Sequence, residues 1–205
     1  MVQPVSARGS WLARKNTSMR VIAGKYRSRI LRSLKGMELR PTTDRLRETL
    51  FNVLGPIIQD SFFVDCFAGS GAVGIEALSR GAREVIFIEN HRPAVVNIRR
   101  NLDSLAIRSG VDLRFGDVLA ELEKLSKRKL LPDLIYLDPP YKLAEEYENI
   151  LEFLDAAQLL APEGRVIAEH TRRLELPSFL TRLERSRMIV QGDSVLSFYR
   201  LVRAA

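Results

Sequence analysis

From residue 60 onward, short apolar runs alternate with longer stretches whose apolar residues recur every three or four positions. Phe62–Cys66, Glu84–Glu89, Val111–Phe115, Asp133–Asp138 and Arg165–Glu169 have strand length. Their near-continuous apolar content suits parallel strands covered on both faces. Between them, Ala72–Arg80, Arg92–Leu105, Val118–Lys127 and Ala144–Leu159 have helical length and period. This punctuation predicts an open, doubly wound α/β sheet that is mostly parallel. The tail changes pattern: Arg187–Gln191, a turn at Gly192-Asp193, and Ser194–Val202 read as an antiparallel hairpin, which brings the sheet to seven strands. Ahead of the sheet, Arg20–Leu34 alternates apolar and basic residues and reads as short pairing strands. Thr43–Ile58 sets Leu46, Leu50, Val53, Leu54 and Ile57 on one helical face, directed at the core. Three segments follow: a flexible extension over 1–18, a basic hairpin and helix over 19–60, and the sheet domain over 61–205.

Composition narrows the setting. The 205 residues suit one domain, and a single cysteine, Cys66, excludes an intrachain disulfide and points to a reducing cytoplasm. Cys66 itself reads as a small buried hydrophobe. No apolar run approaches the roughly 18 residues of a membrane span. Residues 1–18 carry Arg8, Arg14 and Lys15 without an acid and lack an apolar signal core, so they read as an extension or as a start placed ahead of Met19. Charge is uneven. Residues 1–47 hold 12 Lys+Arg against Glu38 and Asp44, a local +10, while the remainder holds 20 against 23 acids. All the excess positive charge therefore sits in the first quarter, where it attracts phosphate-rich partners. Arg20, Lys25, Arg27, Arg29, Arg32, Arg40, Arg45 and Arg47 are the expected contacts to such a nucleic-acid-like partner.

Asp65-Cys66-Phe67-Ala68-Gly69-Ser70-Gly71-Ala72-Val73-Gly74 leaves a strand and opens a helix. Glycines there close a tight turn and let a ligand approach the backbone. The same spacing occurs in nicotinamide sites, but the acids favour another ligand. Asp65 at the first strand end would face a cationic group and repel a pyrophosphate. Glu89 at the second strand end sits where an acid accepts both ribose hydroxyls, and Asp117 after the third is placed for an adenine amino group. Three acids at successive strand ends suit an adenosyl ligand without phosphate. The expected cofactor contacts are Asp65, Phe67, Ala68, Gly69, Ser70, Gly71, Glu89, Asn90, Asp117 and Val118.

The fourth strand ends in Asp138-Pro139-Pro140-Tyr141. Two prolines remove two backbone donors and force the chain out of the sheet. A simple strand stop explains neither the acid before them nor the aromatic after them, at the edge where ligands bind. The tetrapeptide resembles the Asp/Asn-Pro-Pro-aromatic hallmark of S-adenosylmethionine-dependent amino-methyltransferases, which have a Rossmann-like class I fold. An exocyclic base amine is a poor nucleophile, because its lone pair is delocalised into the ring. If Asp138 and the Pro139 carbonyl accept its two N–H groups, the lone pair is freed for the methyl group. Tyr141 would stack on the extruded base, and Pro140 completes the expected catalytic set. No His/Cys cluster stands ready for a metal, and none is expected.

A narrower resemblance covers nearly all of residues 19–205. Arg20–Arg27, Arg40-Pro41-Thr42-Thr43-Asp44-Arg45-Leu46-Arg47-Glu48-Thr49-Leu50-Phe51-Asn52, Asp65–Gly71 and Asp138–Tyr141 are similar to the bacterial RsmD family. That resemblance implies methylation of a guanine N2 amine in small-subunit (16S) ribosomal RNA, with a partly or fully assembled subunit as partner and a cytoplasmic monomer as the enzyme. DNA adenine-N6 or cytosine-N4 methylation is the alternative, although 205 residues leave little room for the separate target-recognition domain such enzymes usually carry.

Overall fold

The computed structural model describes residues 19–33, 44–140 and 144–202. Helix α1 (Asp44–Leu54) and a short 3-10 turn (Gly55–Ile58) lead into β1 (Phe62–Cys66). Then follow α2 (Ala72–Ser79), β2 (Glu84–Glu89), α3 (Arg92–Ser104), β3 (Val111–Phe115), α4 (Val118–Lys127), β4 (Leu134–Leu137), α5 (Ala144–Ala157), β5 (Arg165–Thr171), β6 (Leu183–Gln191) and β7 (Ser194–Leu201). The sheet has seven strands in the order β3-β2-β1-β4-β5-β7-β6. The first five are parallel, and β7 runs antiparallel to both β5 and β6. Strand order reverses at β1, which pairs with β2 on one side and β4 on the other.

Alternate residues of the central strands feed two cores, as the period of two requires. Phe63, Phe87, Tyr136, Ile167 and Phe198 pack with α1, α2, α3 and the 19–33 segment. Val64, Cys66, Ile86, Ile88, Ile135, Leu137, Val166 and Tyr199 pack with α4 and α5. Edge strands β3 and β6 keep only partial cover, so their Asp112, Arg114, Arg185 and Arg187 are tolerated. Among the described residues, no helix is long and apolar enough to cross a membrane.

Two expectations are met only in part, each for a visible reason. The helix expected to reach Ile58 ends at Leu54, because Gly55-Pro56 turns the chain into the 3-10 form, and Ile57 is exposed rather than on the core face. The expected strands within Arg20–Leu34 reduce to one bridge, Arg20 with Ile30, and Leu34 lies outside the described residues. Three backbone bonds flank that bridge, from Val21 N–H to the Arg29 carbonyl, Ser28 N–H to the Val21 carbonyl and Leu31 N–H to the Met19 carbonyl, while other donors go to the helices. Ile22 and Ala23 N–H donate to the Glu76 carboxylate at 2.7 and 3.0 Å, Lys25 N–H to the Ser79 carbonyl, and Tyr26 N–H to Ser79 Oγ. Farther along, Arg32 N–H donates to Asn101 Oδ1, and Asn97 and Asn101 amides donate to the Arg32 carbonyl. The segment thus closes on itself at its ends and is stitched onto α2 and α3 between and beyond them.

Glu76 is fully buried, and its carboxylate also accepts from Arg80 Nε at 2.7 Å. Three donors around one buried carboxylate meet the condition under which such a charge is tolerated.

Candidate active site

Helix α2 starts without a side-chain cap: Gly71 holds the N-cap position in the left-handed region at φ 75°. Its first turn is tied down from below, where Asp65 Oδ2 accepts from the Gly74 N–H at 2.8 Å. Gly74 is required for a different reason. A Cβ there would stand 2.2 Å from the Phe87 ring, so α2 can lie this close to β2 only with glycine. Above the turn, Glu89 bridges two loops, accepting from Gly69 N–H at 2.7 Å and from His91 N–H at 2.8 Å. Phe67 sits at φ 59°, a backbone strain of the kind that gathers at ligand clamps.

Asp65 corrects an expectation. It was expected to present charge to a cationic ligand, but it is 1 % exposed, and burial pushes its carboxyl up to about 8. At pH 7 it is therefore mostly a neutral acid, and its visible work is to brace the glycine turn. Asp117 is exposed and caps α4, accepting from Ala120 N–H at 3.0 Å. Val118 is buried in the α4 core, whereas Asn90 is exposed beside Glu89. Gly69 and Ser70 are half-buried and Ala68 is buried, its N–H donating to the Ile88 carbonyl.

Asp138 and Pro139 follow directly on β4, with Asp138 half-buried, Pro139 buried and Pro140 exposed. Tyr141, the expected stacking ring, lies outside the described residues. In the parallel register, Asp65 stands opposite Tyr136 and Leu137 opposite Ala168, so the ends of β1, β4 and β5 form one edge. Asp138 and Glu169 meet there. Burial first, then the Glu169 and Asp65 carboxyls, hold the Asp138 carboxyl well above the usual range. Glu169 escaped sequence reasoning, which took it as the last residue of a strand. It is 4 % exposed, accepts the Tyr136 hydroxyl proton, and offers its carbonyl to the Tyr147 hydroxyl. Met19 was also missed. Its sulfur accepts from Ser70 Oγ at 3.2 Å, which sets the N-terminal segment directly over the glycine loop.

Lys25, Arg27, Arg29 and Arg32 are exposed along the flank formed by α2 and α3, and Arg20 and Arg45 are exposed at the start of α1. Arg20 also faces Asp44 at 3.5 Å. Arg40 lies outside the described residues. Arg47 corrects the sequence reading: its guanidinium is fully buried and donates to the Arg20 carbonyl and to Asp44 Oδ1, so it offers nothing to a phosphate at the surface. Its place in the helix explains this, since Leu46, Leu50, Phe51 and Leu54 bury the same side of α1.

Cys66 is buried, and burial raises its thiol well above the ordinary value, so it is no nucleophile. His170 is held neutral by burial, its ring bonded to Ser197 Oγ and the Thr171 carbonyl. The edge therefore offers acceptors and backbone donors. Its donor set fits a phosphate-free adenosyl sulfonium, since Glu89 retains lone pairs for ribose hydroxyls and, among the described residues, no Lys or Arg is bonded into the glycine loop.

Comparison with known proteins agrees with this geometry. The family model described as conserved hypothetical protein 95 matches residues 19–200. The Escherichia coli ribosomal RNA small subunit methyltransferase D is 35 % identical over 184 residues, 89 % of each chain. The solved structure of Escherichia coli yhhF superposes with TM-score 0.77 at 30 % identity, covering 90 % of this chain and 98 % of that one. The fold is also that of a Salinibacter ruber RNA methyltransferase in complex with S-adenosyl-L-homocysteine, TM-score 0.61 at 15 % identity, covering 80 % and 95 % of the two chains.

The buried acid generates a prediction about stability. The folded state keeps the Asp65 proton up to about pH 8, whereas an unfolded chain releases it near the ordinary 3.8. Stability from this group is therefore fullest at low pH and falls as pH rises from about 4 to about 8. Asp65→Asn keeps an acceptor for Gly74 N–H and should flatten that fall, giving a higher melting temperature than wild type at pH 8–9. Melting curves that decline equally in both proteins would refute the assignment.

Proposed function

We propose a function from one premise: the chain belongs to the conserved hypothetical protein 95 family, the RsmD family. It is an S-adenosylmethionine-dependent ribosomal RNA methyltransferase, and the methylated atom is the exocyclic N2 of a guanine in small-subunit rRNA. It works as a monomer on a partly or fully assembled subunit. The observation that carries the reading is the meeting of two loops at one strand edge. Asp65–Gly71 leaves β1 and Asp138–Pro140 leaves β4, its neighbour in register. When bound, S-adenosylmethionine supplies an electrophilic methyl group.

The chain's residues do the rest. Glu89 accepts the ribose hydroxyls, Gly69 and Gly71 let the ligand approach the backbone, and Asn90 and Asp117 border the adenine. Asp138 and the Pro139 carbonyl accept the two N–H groups of the amine, so its lone pair points toward the methyl carbon. Acceptors fixed in advance need no reorganisation as charge develops on nitrogen. Pro139 and Pro140 hold that geometry because their φ angles are locked. Tyr141 stacks on the flipped base. Lys25, Arg27, Arg29 and Arg32 grip phosphates on the flank beside the glycine loop, which positions the RNA without reading its sequence.

Two outcomes test this. Asp138→Ala should lower kcat on undermethylated small subunits about 10²–10³-fold while leaving cofactor affinity nearly unchanged. Near-normal turnover, with nucleoside analysis still finding N2-methylguanosine, would reduce the loop to a proline-stopped strand. Neutralising Lys25, Arg27 and Arg29 together should flatten the salt dependence of RNA binding, by roughly 2–3 in log–log slope. A slope equal to that of wild type would move the RNA platform elsewhere.

A further inference from the structure

Methylation leaves a proton to be disposed of, and the strand edge holds a group that the proposed function does not yet use. Glu169 lies in the buried part of β5, two residues before its end. Leu137 pairs with Ala168, the last pair of β4 and β5, and Asp138 and Glu169 follow directly on the two members of that pair. Tyr136 donates its hydroxyl proton to Glu169 Oε2 from the same side of the sheet, and the Tyr147 hydroxyl holds the Glu169 backbone through its carbonyl. The carboxylate is thus held from β4 and its backbone from α5, and it acts on the Asp138 carboxyl.

We infer that Glu169 is a positioning residue for methyl transfer, seated so that Asp138, rather than solvent, takes the proton released from the amine. The inference rests on the proposed function and deepens it. As the new N–C bond forms and the S–C bond breaks, the positive charge of the sulfonium passes to nitrogen. One N–H bond pair then returns to nitrogen, its proton goes to an Asp138 oxygen, and the donor leaves as a neutral thioether. A lone half-buried aspartate of ordinary acidity is a weak base for that proton. A second carboxylate beside it strengthens the base, because two neighbouring negative charges repel.

The groups around Asp138 act in one direction. Glu169 on β5 and Asp65 on β1 both raise its proton affinity, and Glu89 on β2 acts on Asp65 in the same sense. Tyr136 on β4 and Tyr147 on α5 are spent as donors to Glu169. Arg47 on α1 is bonded to Asp44 and the Arg20 carbonyl and acts on Tyr136. His170, next in sequence, turns its ring to Ser197 and Thr171.

The sign follows. Asp138 must be ionised to accept from the amine, so turnover rises as pH passes upward through its folded-state pKa. Glu169→Gln keeps an acceptor for the Tyr136 hydroxyl but removes the charge. Its acid limb should move down by about one pH unit, with kcat on the plateau reduced and KM for the methyl donor unchanged. An acid limb at the wild-type pH would overturn the inference. Carboxyl ¹³C NMR of the apoprotein gives a readout free of activity. In the wild type, the Asp138 and Glu169 resonances should each move in two shared steps. Independent one-step titrations would overturn the inference even if the variant does not fold. A wild type that titrates in two shared steps, yet transfers no methyl group to rRNA, would instead refute the proposed function.

Discussion

Because β1 and β4 are parallel neighbours in register, with Val64 opposite Ile135 and Cys66 opposite Leu137, both chains leave the sheet at one edge. Everything at the site depends on that coincidence. The chain leaving β1 becomes the glycine turn, and the chain leaving β4 becomes the proline-locked acid loop. On the flanks, β2 delivers Glu89 and β5 delivers Glu169 to the same edge. A parallel sheet places all its carboxyl ends together, and the reversal of strand order at β1 opens the crevice there.

The edge concentrates acids, and their burial divides the labour among them. Asp65, under the turn, is driven toward its neutral form and serves as a brace. Glu89 is buried but fixed by two backbone N–H groups that also order the loops a ligand would touch. Asp138 keeps an opening to the exterior while Glu169 presses on it from behind. Similar side chains therefore take different roles according to the donors around them and the water left to them.

Much of this was legible in sequence because strong local patterns carried it. The five parallel strands and their helices appear within a few residues of their expected bounds, and the C-terminal hairpin differs mainly in β6 beginning at Leu183. Apolar periodicity is strong there and no long-range polar contact competes. The pattern misled where tertiary partners won. Arg20–Leu34 alternates like a strand and its ends do pair, with Arg20 bridged to Ile30, but Glu76 and Ser79 claim the backbone donors of Ile22, Ala23 and Tyr26. Arg47 belongs to a basic cluster by composition, yet its helical position turns it inward among Leu46, Leu50 and Phe51. Asp65 occupied the expected strand end, but only its depth in the fold reveals that it is a poor charge donor. Glu169 carried no local signal, since its importance lies in pairing with a residue 31 positions earlier in the chain.

Met19 on Ser70, Glu76 on Ile22 and Ala23, and Asn101 on both Arg32 and the Ser70 carbonyl join the basic segment to the cofactor turn. RNA gripped by Lys25, Arg27 and Arg29 would therefore be held by the same framework that shapes the ligand site. The most direct test of the account is a calorimetric titration of wild type and Glu89→Ala with S-adenosylmethionine and, in parallel, NAD. The account predicts saturable S-adenosylmethionine binding that weakens about 10- to 150-fold in the variant, the loss of a charge-assisted hydrogen bond, and no NAD binding. Unchanged affinity in Glu89→Ala, or tight binding of NAD by the wild type, would contradict it.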